Sequence, residues 1–513
     1  MFLLLIILGV AAFFRLWQLN TIPPGLYPDV AINGNDALDS IKTGDFKLFY
    51  AENNGREGLM MWLIAFSFSI FGASVWSIKI VAAIIGIATV LGLYLLTKEL
   101  FNKNVALLSS FFLAVSFWHN DFSRFGFRAI LVPFVLVFSF YFLFKGFRLQ
   151  KIRDFIFSGI FFGLGFYTYT SFRMAALILP LVLIPYWLIY RKQNLQKKFL
   201  LFVSCFLFFV FIVALPIGLY FLQHPQDFMS RMTGVSIFSQ ANPLLAFGKS
   251  LIVHLGMFNF YGDANWRHNF PGSPQLIWPV GILFLIGIAL AIKRLGQGFK
   301  NKDHSLLITP VFLLSWLSAM LLPGILTIEG VPHALRTIGA IPPAYIFAGL
   351  GGWKVFQLLS QNTKNKRMLI FACFFFLFAI GLAGFNQYFV KWAQNPNTEG
   401  AFTKNFAEIG YYLNSLPKNI QKYVIVNEGG VPVPFPNGLP MPAQTPIFIE
   451  RAKFGEPRSI YLLPGDLNKI NPAKETIIVP MKPDDKIFNE LKLKFPQGKI
   501  IKQNDILIYG IKQ

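Results

Sequence analysis

Five separated segments of this chain set acids, arginines and histidines beside apolar runs, and their residue types suit phosphate and sugar chemistry. The first, IPPGLYPDVAINGNDALDSIKTGDFKLFYAENNGR, carries Asp29, Asp36, Asp39, Asp45, Glu52 and Arg56, with Glu57 directly after it. FWHNDFSRFGFRAILVP holds His119, Asp121, Arg124 and Arg128, and YTYTSFRM holds Arg173. HLGMFNFYGDANWRHNFPGSP supplies His254, Asp263, Arg267 and His268, and EGVPHALRTIGAIPP supplies Glu329, His333 and Arg336. Taken singly, an Arg at a helix end is ordinarily an anchor that snorkels its charge to the headgroups. A loop carboxylate is ordinarily solvated, and a lone His ordinarily hydrogen-bonded. Convergence changes the reading, because ionisable groups at membrane depth are costly and mark sites. Arg124, Arg128, Arg173, Arg267 and Arg336 would form a permanently charged, bidentate cradle for an anionic headgroup, a task that suits Arg better than Lys. Pro23, Pro24 and Pro28 stiffen the backbone ahead of Asp29. A carboxylate held there would remove a proton from an acceptor hydroxyl or amine while the Arg groups stabilise a departing phosphate. That is the chemistry of glycosyl transfer from a lipid-phosphate sugar.

The elements that must position these residues are membrane helices. Of the 513 residues 55% are hydrophobic and 14% charged, with 59 Phe, and the mean hydropathy is +0.54. A soluble domain carries roughly 25% charge, and a single core stops growing near ~250–300 residues, so a polytopic membrane protein is expected. Apolar runs at 1–19, 74–97, 104–118, 129–147, 155–170, 174–190, 199–221, 276–292, 305–323, 335–356 and 368–388 read as eleven spans. The first lacks a basic start and a clean cleavage site, and reads as a retained helix; the run 57–72 reads as a re-entrant or interfacial helix. Alternate loops hold eighteen Lys and Arg against Glu99, Asp154 and Asp303, which accounts for +15 of the net +22. By the positive-inside rule those loops are cytoplasmic. The N-terminus is then inside, and the chemistry-bearing segments, including loops 20–56 and 222–275, lie outside the cytoplasm in a multi-pass plasma-membrane protein. The basic charge is topological, and no nucleic-acid partner is needed to explain it. Cys205 and Cys373 sit in apolar runs, which argues against a disulfide framework or a thiol-ligated metal.

The membrane domain is read as residues 1–389. Beyond it, residues 390–513 change character: charge rises, and KYVIVNE, TPIFIE, SIYLL, ETIIVP, KIIKQ and DILIYGI read as strands, with helices near 403–415 and 485–493. This is a small outer α/β domain without a histidine cluster or nucleophile elbow on its strands, suited to a structural or acceptor-recruiting role.

The segments PPGLYPDVA, NNGREG, SRFGFRAILVP and PHALR resemble those of the family-39-type membrane glycosyltransferases of the GT-C fold, which include protein O-mannosyltransferases and lipid A aminoarabinose transferases. The resemblance covers about residues 10–355. It implies a polyprenyl-phosphate-linked sugar donor and an acceptor that is a protein or a glycolipid. It implies that Asp29 is the catalytic base and that Glu57 matches a second acidic position, which orients the acceptor or helps bind an ion. Arg124, Arg128 and Arg336 would hold the donor phosphate, with His333 as a hydrogen-bond donor; Arg173, Asp263, Arg267 and His268 are substrate-binding candidates. The family's Asp-Glu pair is Asp29-Val30 here, so any contact made through that Glu is missing. No metal ligand and no cofactor is assigned, with a divalent cation left open. A non-catalytic protein that binds a lipid-linked sugar stays open because of Val30. A transporter is disfavoured, because mid-span acids are almost absent and carriers need polar groups near the midplane.

Overall fold

Uninterrupted apolar sequence folds as helices here because, in lipid, a helix satisfies every backbone donor and acceptor within its own segment. The computed structural model describes residues 1–434, 438–472, 474–503 and 505–511, with the side chains of 230–234 left aside. Among the described residues, seven helical stretches are long and apolar enough to cross a membrane: Val75–Leu100, Arg128–Leu149, Thr170–Lys192, Gln196–Gln223, Trp278–Lys300, His304–Ile325 and Lys366–Trp392. The four other expected spans are also helical, at Phe2–Leu16, Lys103–Ala114, Ile152–Leu164 and Ile341–Asn362. The first three are short: 15 residues in Phe2–Leu16 reach about 22 Å, against roughly 30 Å of hydrocarbon. The fourth is long enough, but Pro342, Pro343, three glycines and Lys354 dilute its hydropathy. The run at 57–72 forms a 13-residue helix, Leu59–Phe71.

The chain makes two compact units, both discontinuous in sequence: residues 1–17 with 82–392, and residues 18–81 with 393–513. In the first unit, helices Trp278–Lys300 and Ile341–Asn362 meet backbone to backbone. A Cβ on Gly287 would lie 1.9 Å from the Phe347 carbonyl oxygen, and one on Gly351 would lie 2.0 Å from that of Leu283. Small residues drive such contacts where lipid removes the hydrophobic advantage of larger ones.

The second unit is built on a five-stranded mixed sheet in the order Ile460–Leu462, Gln421–Ile425, Thr476–Pro480, Ile506–Ile511 and Lys499–Gln503. The first three strands run parallel, and the last two pair antiparallel. Alternation divides two cores across it. Val424, Val479 and Ile508 pack with Phe406, Leu413 and Ile447 on one face, while Tyr423, Ile425, Ile478 and Tyr509 pack with Ile487, Phe488 and Leu491 on the other. The expected helices appear at Lys404–Ser415 and Asp485–Lys494. TPIFIE is a correction: it lies in a helix, Gln444–Phe454, rather than a strand. Every residue from Gln444 to Arg451 is buried, so the helical period is erased, and Pro446 in the first turn removes no intrahelical bond.

The same unit takes in the acidic segment. Pro28 opens a helix, Pro28–Thr43, at its first position, and Gly44 closes it at φ +76° in the left-handed cap. The Leu26 carbonyl just before it accepts from Thr403 Oγ1 at 3.1 Å and Thr445 Oγ1 at 2.9 Å. Asn35 Nδ2 donates to Gln444 Oε1 at 2.8 Å, and the Arg451 guanidinium pairs with Asp39. Acidic helix and buried helix thus share one polar seam.

Candidate active site

In the second unit, Asp29 occupies the first turn of Pro28–Thr43, where the helix dipole favours a negative charge. It is half-buried, and its Oδ1 accepts from Asn53 Nδ2 at 2.8 Å. Asn53, Asn54 and Gly55 take φ of +52°, +62° and +84° in succession. Asn and Gly tolerate this left-handed run where other side chains resist it, which is the local reason for the NNG sequence. The turn delivers Arg56 and Glu57 into a short antiparallel pair with Phe49 and Tyr50. Arg56 is fully buried; its Nη1 donates to Asn33 Oδ1 at 2.9 Å and to the Asp36 carboxylate, and its guanidinium lies 5.7 Å from the Tyr50 ring centroid. Burial pushes the Asp36 carboxyl above its usual range, against the pull of Arg56. Glu57 is 1% exposed, and Val30 is fully buried. Asn53 and Arg56, which organise this segment, carried no assigned role in the sequence reading; the NNGRE run is the signal that marks them.

In the first unit, the polar residues of three segments gather beside helix Phe117–Phe122. Asp263 is their centre. Its Oδ2 accepts from the Ala334 N–H at 2.8 Å and lies 2.9 Å from His268 Nδ1 and 3.9 Å from His333 Nδ1. Its Oδ1 accepts from the Asn265 N–H at 2.8 Å. The two imidazole rings are 5.0 Å apart, and Phe122 sits 5.7 Å from the His268 ring. The three candidate ligand atoms lie within 4.8 Å of one another, a grouping that can hold a metal ion. Burial lowers the His268 pKa, and Asp263 opposes the shift. His254 stands behind this group: its Nε2 accepts from the His333 N–H at 3.2 Å, and its Nδ1 faces the Ser250 carbonyl at 2.8 Å. Gly324 leaves the room, since a Cβ there would come within 2.4 Å of His254 Nε2. Gly324→Ala is therefore expected to displace His254 and to cost about 1–3 kcal/mol, measured by thermal unfolding against wild type.

The arginines separate by partner. Arg124 is fully buried and donates to the Phe14 and Trp17 carbonyls, each at 2.7 Å, with Phe389 5.0 Å from its guanidinium. Arg173 donates to the Phe228 carbonyl at 2.9 Å and stacks 4.0 Å over that ring. Arg336 is held by Thr327 Oγ1 and the Glu329 carboxylate, both at 2.7 Å. Arg128 lies 5.1 Å from the Tyr169 ring centroid, and Arg267 is half-buried in the loop that carries Asp263. Asp121, which sequence reasoning quoted without a role, is fully buried with no hydrogen-bond partner at either carboxylate oxygen. Burial raises its pKa well above the usual range; Arg124 draws it down and Asp263 adds to the rise.

Residues 59–217 match the family described as dolichyl-phosphate-mannose-protein mannosyltransferase. Arg124, Arg128 and Arg173 fall inside that stretch, and Asp29, Glu57 and the Asp263 group fall outside it. A curated relative, the Bacillus subtilis (strain 168) protein YkcB, named as a mannosyltransferase, is 28% identical over 211 residues, which is 39% of this chain. The chain spans 28% of that relative's length. Among solved structures, ArnT from Cupriavidus metallidurans bound to undecaprenyl phosphate superposes with a TM-score of 0.58 at 12% identity, covering 99% of this chain and 97% of that one. The apo oligosaccharyltransferase of Archaeoglobus fulgidus gives 0.50 at 13% identity over 83% of this chain and 62% of that one. Residues 59–217 are thus similar to the dolichyl-phosphate-mannose-protein mannosyltransferase family, and the fold, a multi-helix membrane protein with a C-terminal mixed-sheet unit, is like that of ArnT.

Proposed function

We propose that the protein transfers a sugar from a polyprenyl-phosphate donor to a protein or glycolipid acceptor outside the cytoplasm. The observation that carries this reading is the family match combined with an ArnT-like fold over nearly the whole chain. In the reaction the acceptor oxygen or nitrogen bonds to the anomeric carbon, the bond from that carbon to the phosphate oxygen breaks, and polyprenyl phosphate departs. Asp29 takes the acceptor proton, with Asn53 holding one of its oxygens and Glu57 in support. Arg128 and Arg336, with His333, bind the phosphate, whose charge grows as the bond breaks. Arg124, whose guanidinium holds two main-chain carbonyls, supports the helix end. The test incubates the full-length protein in liposomes with a panel of radiolabelled polyprenyl-phosphate sugars and separates free sugar, glycolipid and glycoprotein. Labelled acceptor is the expected result, and no product from any donor overturns the reading. A second reading, a protein that binds the lipid-linked sugar without transfer, is favoured by Val30 alone and predicts donor binding with no product.

The proposal includes eleven crossings with the N-terminus inside. In a background lacking Cys205 and Cys373, cysteines at the exposed positions Asp45 and Lys418 should react with a membrane-impermeant thiol reagent in intact cells, and one at Asn362 should not. Labelling at Asn362 with protection at the other two inverts the orientation.

A further inference from the structure

We infer that Asp263, His268 and His333 form a zinc-class divalent cation site that keeps one coordination position open. The donor set is the first argument. Two imidazoles and one carboxylate make the three-ligand pattern of zinc sites that leave a fourth position for water or substrate, whereas magnesium and calcium prefer all-oxygen shells. Distance is the second. Ligands about 2.0–2.2 Å from one tetrahedral zinc stand roughly 3–3.6 Å from each other. Asp263 Oδ2 lies 2.9 Å from one imidazole nitrogen and 3.9 Å from the other, so small side-chain rotations complete the set.

The third argument is how firmly the donors are held. The Asp263 carboxylate is fixed by the N–H groups of Asn265 and Ala334, its main-chain oxygen accepts from Asn269 Nδ2 at 3.2 Å, and the His333 backbone is pinned by His254. Outer contacts of this kind orient metal ligands and raise affinity. A fourth observation is a buried carboxyl without a hydrogen-bond partner close by. Asp121, fully buried with both carboxyl oxygens unpartnered, belongs to the helix whose Phe122 packs on His268. Access is one-sided: Asp263 and His268 are 2% and 4% exposed, and the His333 side chain is 12% exposed. An incoming oxygen ligand therefore meets the site beside His333. On the proposed transfer reaction that ligand is a non-bridging oxygen of the lipid phosphate; cation binding itself does not depend on that reading.

The test uses full-length protein purified in detergent, stripped with EDTA and freed of chelator. Elemental analysis after Zn2+ addition should find one zinc per chain, and zinc should raise the melting midpoint. His268→Gln and His333→Gln should weaken zinc binding by more than ~10²-fold, and His254→Ala, which only loosens the His333 backbone, by ~10-fold. Melting of each variant in EDTA separates lost binding from lost folding. Because a variant that fails to fold says nothing, Co2+ is also added to the wild type, where intensified visible d–d bands of tetrahedral cobalt with nitrogen ligands are expected. Absence of stoichiometric zinc and of those bands in the wild type overturns the site, as does unchanged binding in folded variants. Zinc binding with no sugar transfer leaves the site standing and counts against the glycosyltransferase reading alone.

Discussion

Asp29→Asn should lower sugar transfer by ~10²–10⁴-fold while donor affinity stays near that of wild type. A general base contributes only when the acceptor proton moves, and substitution of the carboxylate by an amide keeps shape while removing the proton acceptor. Folding should survive, because Asp29 is half-buried in a first helical turn and the hydrogen bond its side chain accepts from Asn53 can be re-formed by an amide. Asn53→Ala is the informative companion: it leaves the base in place but frees its carboxylate to rotate, so turnover falls less, by about tenfold. The measurement is single-turnover transfer alongside donor binding. Full activity in Asp29→Asn removes the residue from the mechanism; if Glu57→Gln abolishes transfer instead, the base is Glu57.

The largest expected loss of stability follows Arg56→Ala. The side chains of Arg56 and Asp36 are 1% and 17% exposed, and the same guanidinium holds Asn33. Removing one partner of a buried ion pair leaves the other uncompensated, at a cost of about 3–5 kcal/mol. The second unit should melt earlier or become sensitive to protease. The double variant Arg56→Ala, Asp36→Asn should recover part of the loss, since the stranded charge goes with it. Equal melting of wild type and single variant would show that the pair contributes nothing net.

The sequence carried most of the helices and strands, and for physical reasons carried less of the site. Spans such as Gln196–Gln223 announce themselves by length and hydropathy, and strands such as Thr476–Pro480 by β-branched runs buried on both faces. Gln444–Phe454 was misread because burial on all sides removes the polar face that makes a helix periodic. Arginine identities were visible but their partners were not. Arg124 bonds the carbonyls of Phe14 and Trp17 more than a hundred residues away, and a main-chain oxygen has no signature in a sequence. The Asp263 and His333 grouping was hidden for the same reason, since its members come from loops 70 residues apart in the chain. The sequence reading assigns them separately, Asp263 as a substrate contact and His333 as a hydrogen-bond donor to the phosphate, and the fold puts them together.

The discontinuity of the second unit has a consequence in time. Leu26, Asn35 and Asp39 find their partners at Thr403, Thr445, Gln444 and Arg451, so the segment bearing Asp29 is synthesised early and finished late. A ribosome adding roughly 5–20 residues per second leaves it waiting tens of seconds for the stretch that completes its polar seam. A message truncated after Trp392 but before that stretch yields a chain that has every one of the long apolar helices while the acidic helix stays without its neighbours. Assembly order thus makes the helix that bears Asp29 depend on the C-terminal stretch, since only a chain translated through Arg451 supplies all of these partners.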